Sequence, residues 1–377
     1  MKKVLLGTTA IVAAGMIASA PSAIAAEKIK LGLGGYMIQD FGYVANDDSA
    51  TEDFSGFDVK SDAEVFFKGK TTLDNGISVG LNVQLEANTS GDQIDESYIT
   101  FKGGFGQVDI GSENSAQYKM HYAPADFGIG INSGDQFGWV SMTSDAQGDS
   151  INQGAGYFRG PFGSTYIEPT QANDSTKVTY YTPRVEGFQL GLSYSPDANQ
   201  DSNGGVNRDA NNTDLVMAGL NFNRNFANSS NFRASLGYGT VLDEIDGSGN
   251  TPTSFNAGVG LKVGGFGIGV SYANFDDHGA TTGHGINGGV NYSSGPWGIS
   301  LSYFHGEKDG INTAGTVDGE GQQDTIHLSA KYALGPGVTG YGTLGHSEFE
   351  TDDTDLVNED AAEVEATYVV VGVKLGF

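Results

Sequence analysis

The sequence predicts an all-β fold: a barrel of sixteen antiparallel strands that crosses a membrane. Three observations carry this prediction. Segments of about ten residues alternate apolar and polar side chains, tight turns alternate with longer polar connections between them, and the number of segments is even. Beyond residue 26, no apolar run approaches the ~20 residues that a transmembrane helix needs, so strands have to make the crossing.

The clearest hairpin lies near the start of the chain. Residues 77–87 place an apolar side chain at every odd position and a small or polar one at every even position. Residues 63–73 precede them across Asp74-Asn75-Gly76, a turn composition that accepts positive φ. The same pattern predicts strands at 29–42, 63–73, 77–87, 95–102, 107–111, 176–182, 188–195, 214–223, 232–241, 254–263, 266–275, 285–293, 297–305, 324–333, 338–349 and 366–377.

The connections are as informative as the strands. Tight turns such as Gly264-Gly265 alternate with long polar connections such as 197–213 and 307–323, and acidic residues gather in the long ones. Segment 112–174 is far longer than any other connection and is rich in Gly, Asp and aromatic residues. A loop of that length in a compact domain is usually functional or disordered.

The two ends of the chain predict export and closure. Lys2 and Lys3 precede an apolar stretch and small residues around Ala25, so residues 1–25 are expected to be a cleaved signal peptide and 26–377 a single barrel domain. A retained membrane anchor is the alternative. The last strand alternates up to Phe377, and its edge needs a neighbour, which residues 29–42 would supply.

Composition excludes several classes of function. The net charge of −27, or −29 without the two lysines of the signal peptide, argues against nucleic-acid binding. The chain has no cysteine, so it needs no disulfide framework, and its 17 Tyr and 21 Phe argue against disorder. The histidines lack the H-E-x-x-H spacing and no serine lies in a G-x-S-x-G elbow, so we expect neither an enzyme nor a required cofactor. Glycines inside the predicted strands are expected to ease the curvature of the barrel wall.

Several segments resemble the general Gram-negative outer-membrane porins, particularly those of alphaproteobacteria. They are residues 103–111 with their Gly-Phe-Gly turn, the hairpin of residues 178–184 and 187–194 with its Tyr-Thr-Pro sequence, and the terminal Phe377. The resemblance implies a homotrimer in the bacterial outer membrane, surrounded by membrane lipid and lipopolysaccharide. It also implies that the third loop, 112–174, folds into the barrel as a constriction loop and that small polar solutes and ions diffuse through.

Charged residues of the second strand and of the long loop are the candidates for selectivity. If the odd positions of residues 63–73 face lipid, then Glu64, Lys68 and Lys70 face the lumen, where charges of both signs sort solutes. Lys177 is a further candidate on the wall. The opposing acidic wall is expected from the long loop, with Asp126 and Asp135 at the narrowest point, although either could be an ordinary solvated loop residue. The net charge predicts a modest preference for cations.

Three alternatives remain open from the sequence. Asp352, Asp353 and Asp355 offer carboxylates suited to Ca²⁺ but lack EF-hand spacing, so solvated loop charge competes with a weak calcium site. The channel could be specific for one class of solute instead of sorting by size. The chain could also be a secreted soluble β-protein or adhesin whose apolar faces pack against each other.

Overall fold

The computed structural model describes residues 28–47, 53–88, 93–133, 135–140, 163–199, 204–209, 212–226, 229–243, 251–277, 281–311, 317–351 and 362–377. The expected signal peptide lies outside these residues, as do Asp352, Asp353 and Asp355, so both of those expectations stay predictions. Within the described ranges, no helix has the length and apolar character needed to cross a membrane.

Sixteen antiparallel strands close into one barrel, in which each strand pairs with its neighbours in sequence and β1 pairs with β16. The strands are β1 (Lys30–Asn46), β2 (Gly56–Thr72), β3 (Ser78–Glu86), β4 (Ile94–Gly103), β5 (Gly106–Ser112), β6 (Thr176–Tyr181), β7 (Phe188–Asp197), β8 (Thr213–Phe226), β9 (Ser230–Asp243), β10 (Thr253–Val263), β11 (Phe266–Asp277), β12 (Thr281–Ser294), β13 (Trp297–Ile311), β14 (Val317–Gly335), β15 (Val338–Thr351) and β16 (Ala362–Gly376). The number, order and pairing of the predicted strands are confirmed.

The ends of the strands on the side of the long connections were predicted less well. β2 begins at Gly56 instead of residue 63, and β14 begins at Val317 instead of residue 324. The prediction of a long loop at 307–323 was wrong, because β13 runs to Ile311 and pairs with β14 nearly to its end. The backbone ladder continues here although both faces are polar, so the hydrophobic alternation that marks a strand in sequence has already faded.

Along the middle of most strands an apolar outer face alternates with a polar inner face. On β10, Phe255, Val259 and Leu261 are exposed on the outside, whereas Ser254 and Asn256 are buried on the inside. At the end of the barrel with the tight turns, outward-facing rings pack in pairs: Phe266 with Tyr292 at 4.5 Å between centroids, and Trp297 with Tyr332 at 4.4 Å. This is the arrangement of a lipid-facing belt edged by aromatic rings.

Closure leaves no open strand edge between β1 and β16. Their register runs from Tyr36 opposite Gly376 to Asn46 opposite Ala366. Gly35 and Phe377 exchange two backbone hydrogen bonds of 3.0 and 3.1 Å. In hydrocarbon each unpaired backbone group would cost several kcal/mol, so this closure is what permits the barrel to lie in a membrane.

Candidate functional site

The connection between β5 and β6 lies against the inside of the barrel wall wherever the structure describes it. It contains one short helix, α1 (Ala116–Lys119), and two 3₁₀ turns, Asp135–Gly138 and Pro169–Gln171. Ser115 caps α1, its hydroxyl accepting a hydrogen bond from the backbone of Tyr118. The rest of this inner loop, defined here as residues 113–140 and 163–175, has mainly irregular backbone, so its N–H groups need partners outside the loop.

Inward-facing side chains on successive strands supply those partners. The hydroxyl of Ser193 on β7 accepts from the Ala116 N–H at 2.8 Å, and the hydroxyl of Ser235 on β9 accepts from the Tyr122 N–H at 2.9 Å. Further bonds continue around the barrel: Gln117 to Ser254, Thr165 with Ser271, Asn132 to Asn287, Phe127 to Ser300 and Ile129 to Thr343. We call the inner face of β7–β15 the covered wall.

Glycines on the covered wall create the space for the inner loop. A Cβ added to Gly269 or Gly289 would lie 3.3 or 2.9 Å from atoms of Pro124. At Gly219 and Gly258 an added Cβ would collide with the backbone carbonyl groups of Ala116 and Tyr122. These strand glycines therefore do more than ease curvature: they let irregular backbone approach the sheet closely.

Asp126, a predicted selectivity residue, is held at the covered wall. Its carboxylate pairs with His327 Nδ1 on β14 at 2.8 Å, and His327 Nε2 contacts the Tyr368 hydroxyl on β16 at 2.7 Å. Burial is the largest single influence and favours the neutral carboxyl, but the hydrogen bonds from His327, Gly128 and Ser329 and the charge of His327 together keep the pKa of Asp126 below its usual range. Asp126 therefore anchors the inner loop, and its effect on passing ions stays a prediction.

The inner loop reaches as far as β1. The Trp139 ring lies against Gly42, where an added Cβ would collide with the ring, and Lys60 Nζ lies 5.0 Å from the centroid of that ring. Trp139, Val140 and Ile129 of the inner loop join buried residues of the wall in one apolar cluster: Val44, Phe349, Val364, Ala366, Tyr368 and Val370. Asp135 belongs to the adjacent 3₁₀ turn, but its side chain lies outside what the structure describes.

Lys177, predicted to line the wall, lies beneath the root of the inner loop. Its ammonium group donates to the carbonyl oxygens of Ser175 at 2.8 Å and Ala172 at 3.2 Å, and also to that of Glu113. The side chain is 2% exposed, so it has little contact with solvent in the lumen. Lys177 thus ties the two ends of the inner loop to β6.

The inner face of β1–β4, here called the open wall, has a different character. Several of its inward side chains are long, charged and exposed or half-buried, among them Glu64, Lys68 and Lys70. Tyr36 donates to Glu64 Oε1 at 2.6 Å, and Lys68 Nζ lies 4.2 Å from the Phe66 centroid. The carboxylates of Glu64, Glu86 and Asp95 all come within 4.8 Å of one another. These groups give the open wall a strong local negative potential beside exposed lysines.

Reasoning from sequence missed His327, Tyr368 and the serines that hold the inner loop. A signal was nevertheless present, because the strands from β7 onward carry Ser, Thr, Asn or Gly at many inward positions, with cations such as Arg233 and Lys262 among them, whereas the open wall carries Asp, Glu and Lys at several of its inward positions. Short hydroxyl groups at successive inward positions are suited to satisfying an irregular backbone. That contrast could have located the covered wall before the structure was known.

Comparison with known proteins agrees with the barrel fold described above. The family model of the Gram-negative porins matches residues 7–352. An uncharacterized protein of Rickettsia conorii is 22% identical over 236 residues, which are 59% of this chain and 53% of that protein, so the chain spans about half the length of the curated relatives it matches.

Solved barrels share the fold. An anion-selective porin from Comamonas acidovorans aligns with a TM-score of 0.58 at 16% identity, covering 93% of this chain and 100% of that one. The trimer form of OmpT, an outer membrane protein of Vibrio cholerae, aligns with a TM-score of 0.56 at 14% identity, with the same coverages. The resemblance predicted from the sequence is confirmed, and this chain belongs to the Gram-negative porin family.

Proposed function

We propose that the protein forms a water-filled channel through the bacterial outer membrane for passive diffusion of small hydrophilic solutes and ions. The observation that carries the proposal is the closed barrel whose outer face is apolar and whose open wall is lined by half-buried and exposed charges. Such side chains need water, and a lumen that holds water across the barrel conducts ions.

The inner loop narrows this channel in our proposal. Because it lies along the covered wall, solutes pass between it and the open wall. The carboxylates of Glu64, Glu86 and Asp95 face that passage and favour cations, whereas Lys68 and Lys70 near the tight turns oppose them. We therefore expect a modest preference for cations over anions.

Assembly and location follow from the family. We propose a homotrimer among lipid and lipopolysaccharide, delivered to the outer membrane after cleavage of residues 1–25. The exposed apolar outer face supports membrane insertion: Leu33, Phe57 and Val371 are more than half exposed at 73%, 69% and 58%. A soluble β-protein or adhesin would bury such side chains against a second layer.

The barrel acts as a conduit without catalysis in this proposal. Asp126, His327 and Tyr368 form a carboxylate–imidazole–hydroxyl chain that resembles the parts of a hydrolytic site. His327 and Tyr368 are both 0% exposed, however, and the Tyr368 hydroxyl also meets Ser347 at 3.1 Å. No solute can approach these buried atoms, so the three hydrogen-bonded side chains have a structural role.

The test is reconstitution of the purified full-length protein in a planar bilayer under a salt gradient. We expect discrete conductance steps and closure in three levels at high voltage. We also expect a reversal potential whose sign shows that cations are more permeant than anions. Steps with a single closing level would contradict the trimer, and an anion-side reversal potential would contradict the preference. Absence of steps from folded, inserted protein would contradict the channel itself. A conductance that saturates with one sugar would favour the alternative of a solute-specific channel.

A further inference from the structure

A recess of about 310 Å³ lies between the inner loop and the covered wall, close to the tight-turn end of the barrel. Pro124, Ala125 and Phe127 of the inner loop form one side of it. The wall contributes cationic and neutral polar side chains from β9, β10, β12 and β14: Arg233, Lys262, Lys331, Asn231, Asn291 and Ser293. Among the residues that the structure describes, none that lines the recess is acidic.

The three cations are inward-facing and converge from separate strands. Arg233 Nη2 donates to the Ala123 carbonyl at 2.9 Å, and its guanidinium carbon lies 5.2 Å from the Tyr122 centroid, which fixes the side chain. Lys331 Nζ lies 3.8 Å from the Phe127 centroid. Among the described parts of the chain, no salt bridge includes Arg233, Lys262 or Lys331. No carboxylate from the described ranges therefore pairs with these three cations.

The neighbouring titratable groups do not cancel this charge. Burial and the nearby charge of Arg233 lower the pKa of His121 to about 3, so this imidazole stays neutral. The carboxylate of Asp126, between two lining residues in sequence, is paired with His327 Nδ1 at 2.8 Å and does not line the recess. The recess is a cationic pocket in a protein whose overall charge is strongly negative.

We propose that this recess is a transient binding site for small phosphate-bearing solutes, inorganic phosphate being the simplest. A dianion gains from two ammonium groups and a guanidinium at once, and Asn231, Asn291 and Ser293 can donate to its remaining oxygens. Cation-π contacts and the bond to Ala123 hold two of the cations in place before a solute arrives. The site rests on the proposed channel function, since solutes reach it through the lumen.

Because the protein is proposed to pass solutes, binding has to be weak enough for release. We expect inorganic phosphate to reduce the chloride conductance of the reconstituted full-length protein in a saturable way at millimolar concentration. Lys262→Gln and Lys331→Gln should each raise the half-saturating phosphate concentration about tenfold, as expected when one charged hydrogen bond is lost. The matched control is Arg208→Gln, which removes one positive charge from a residue paired with Asp214 at 3.2 Å, away from the recess. It should leave the half-saturating concentration unchanged.

Asn291→Asp provides a second test that keeps both lysines. It places a carboxylate in the recess and should abolish saturation by phosphate while the conductance steps persist. Normal steps without saturation in the unmodified protein would overturn the phosphate site and leave the channel intact, whereas absence of any steps would overturn the channel proposal instead. An equal response of Arg208→Gln and Lys262→Gln would also overturn the site, because bulk charge would then explain the effect.

Discussion

The covered wall and the open wall are built from strands of the same type yet present opposite inner faces. At the covered wall Ser193, Ser235 and Ser300 are uncharged, and their hydroxyl groups accept hydrogen bonds from the backbone N–H groups of the inner loop. At the open wall Glu64 and Lys68 occupy the equivalent inward positions. Short neutral side chains let the loop backbone approach and satisfy its N–H groups, whereas long charged ones hold water and meet the loop through side chains, as Glu96 meets Asn114 and Lys60 meets Trp139. The inner-face composition of a strand thus indicates whether it seats a loop or bounds a pore.

The largest effect is expected at the boundary between the two walls. Lys177→Met would remove the ammonium donor from the buried carbonyl groups of Glu113, Ala172 and Ser175, of which Ala172 keeps the Ser175 hydroxyl as a donor. Breaking such a buried charged network costs about 3–5 kcal/mol, so the temperature at which the barrel unfolds on an SDS gel should fall clearly. Lys102→Met on the open wall, where the lysine is exposed, should change it little. Equal losses in the two variants would mean that Lys177 is not the tie we describe.

Two neighbouring glycines on β12 distinguish a change in the position of the inner loop from a change in the stability of the strand. Gly289 faces the inner loop, and an added Cβ would lie 2.9 Å from Pro124, whereas at Gly288 nothing lies within 4 Å. Gly289→Val should therefore push the inner loop off the wall at a cost of about 1–3 kcal/mol and alter the single-channel conductance. Gly288→Val should leave the conductance as it was. If both variants conduct like the unmodified protein, the inner loop does not depend on the covered wall for its position.

Acid should loosen the inner loop where His121 is buried. His121 Nε2 forms a hydrogen bond with the Thr165 hydroxyl at 3.0 Å, and the imidazole packs edge-on against Tyr166. Burial lowers the pKa of His121 from the ordinary value of 6.5 to about 3. A histidine with a lowered pKa contributes full stability above pH 6.5 and loses it as pH falls towards 3; by pH 5 the loss is about 2 kcal/mol. Unfolding temperatures measured from pH 7 to pH 4 should fall, and His121→Gln should flatten this dependence. A decline as steep in the variant would assign the acid sensitivity to other groups.

The smallest effect is expected at the acids of the open wall. Replacing Glu64, Glu86 and Asp95 by Gln, Gln and Asn should move the reversal potential towards the anion side by several millivolts, because ion selectivity here depends on screened charges in water. The matched control removes the same number of charges from the outer face, at Glu348, Glu350 and Glu363. An identical shift in the control would show that only the net charge matters.

The sequence was sufficient for the barrel but not for the way the inner loop is held. The alternation on β2 puts Glu64, Lys68 and Lys70 on the face opposite to Val65 and Phe67, since a period of two assigns each face directly. Asp126 and His327, by contrast, are 201 residues apart, and no local pattern links them. Lys177 looked like any inward lysine, because its three carbonyl partners depend on how the loop root folds.

The most direct test of the account uses the absence of cysteine from the chain. A single cysteine is placed either at Lys68 on the open wall or at Ser235, buried beneath the inner loop, and a charged thiol reagent is added during a bilayer recording. We expect the reagent to change the conductance of Lys68→Cys within seconds to minutes and to leave that of Ser235→Cys unchanged. Rapid modification at Ser235→Cys with none at Lys68→Cys would contradict it, because the ions would then pass along the wall that we describe as covered.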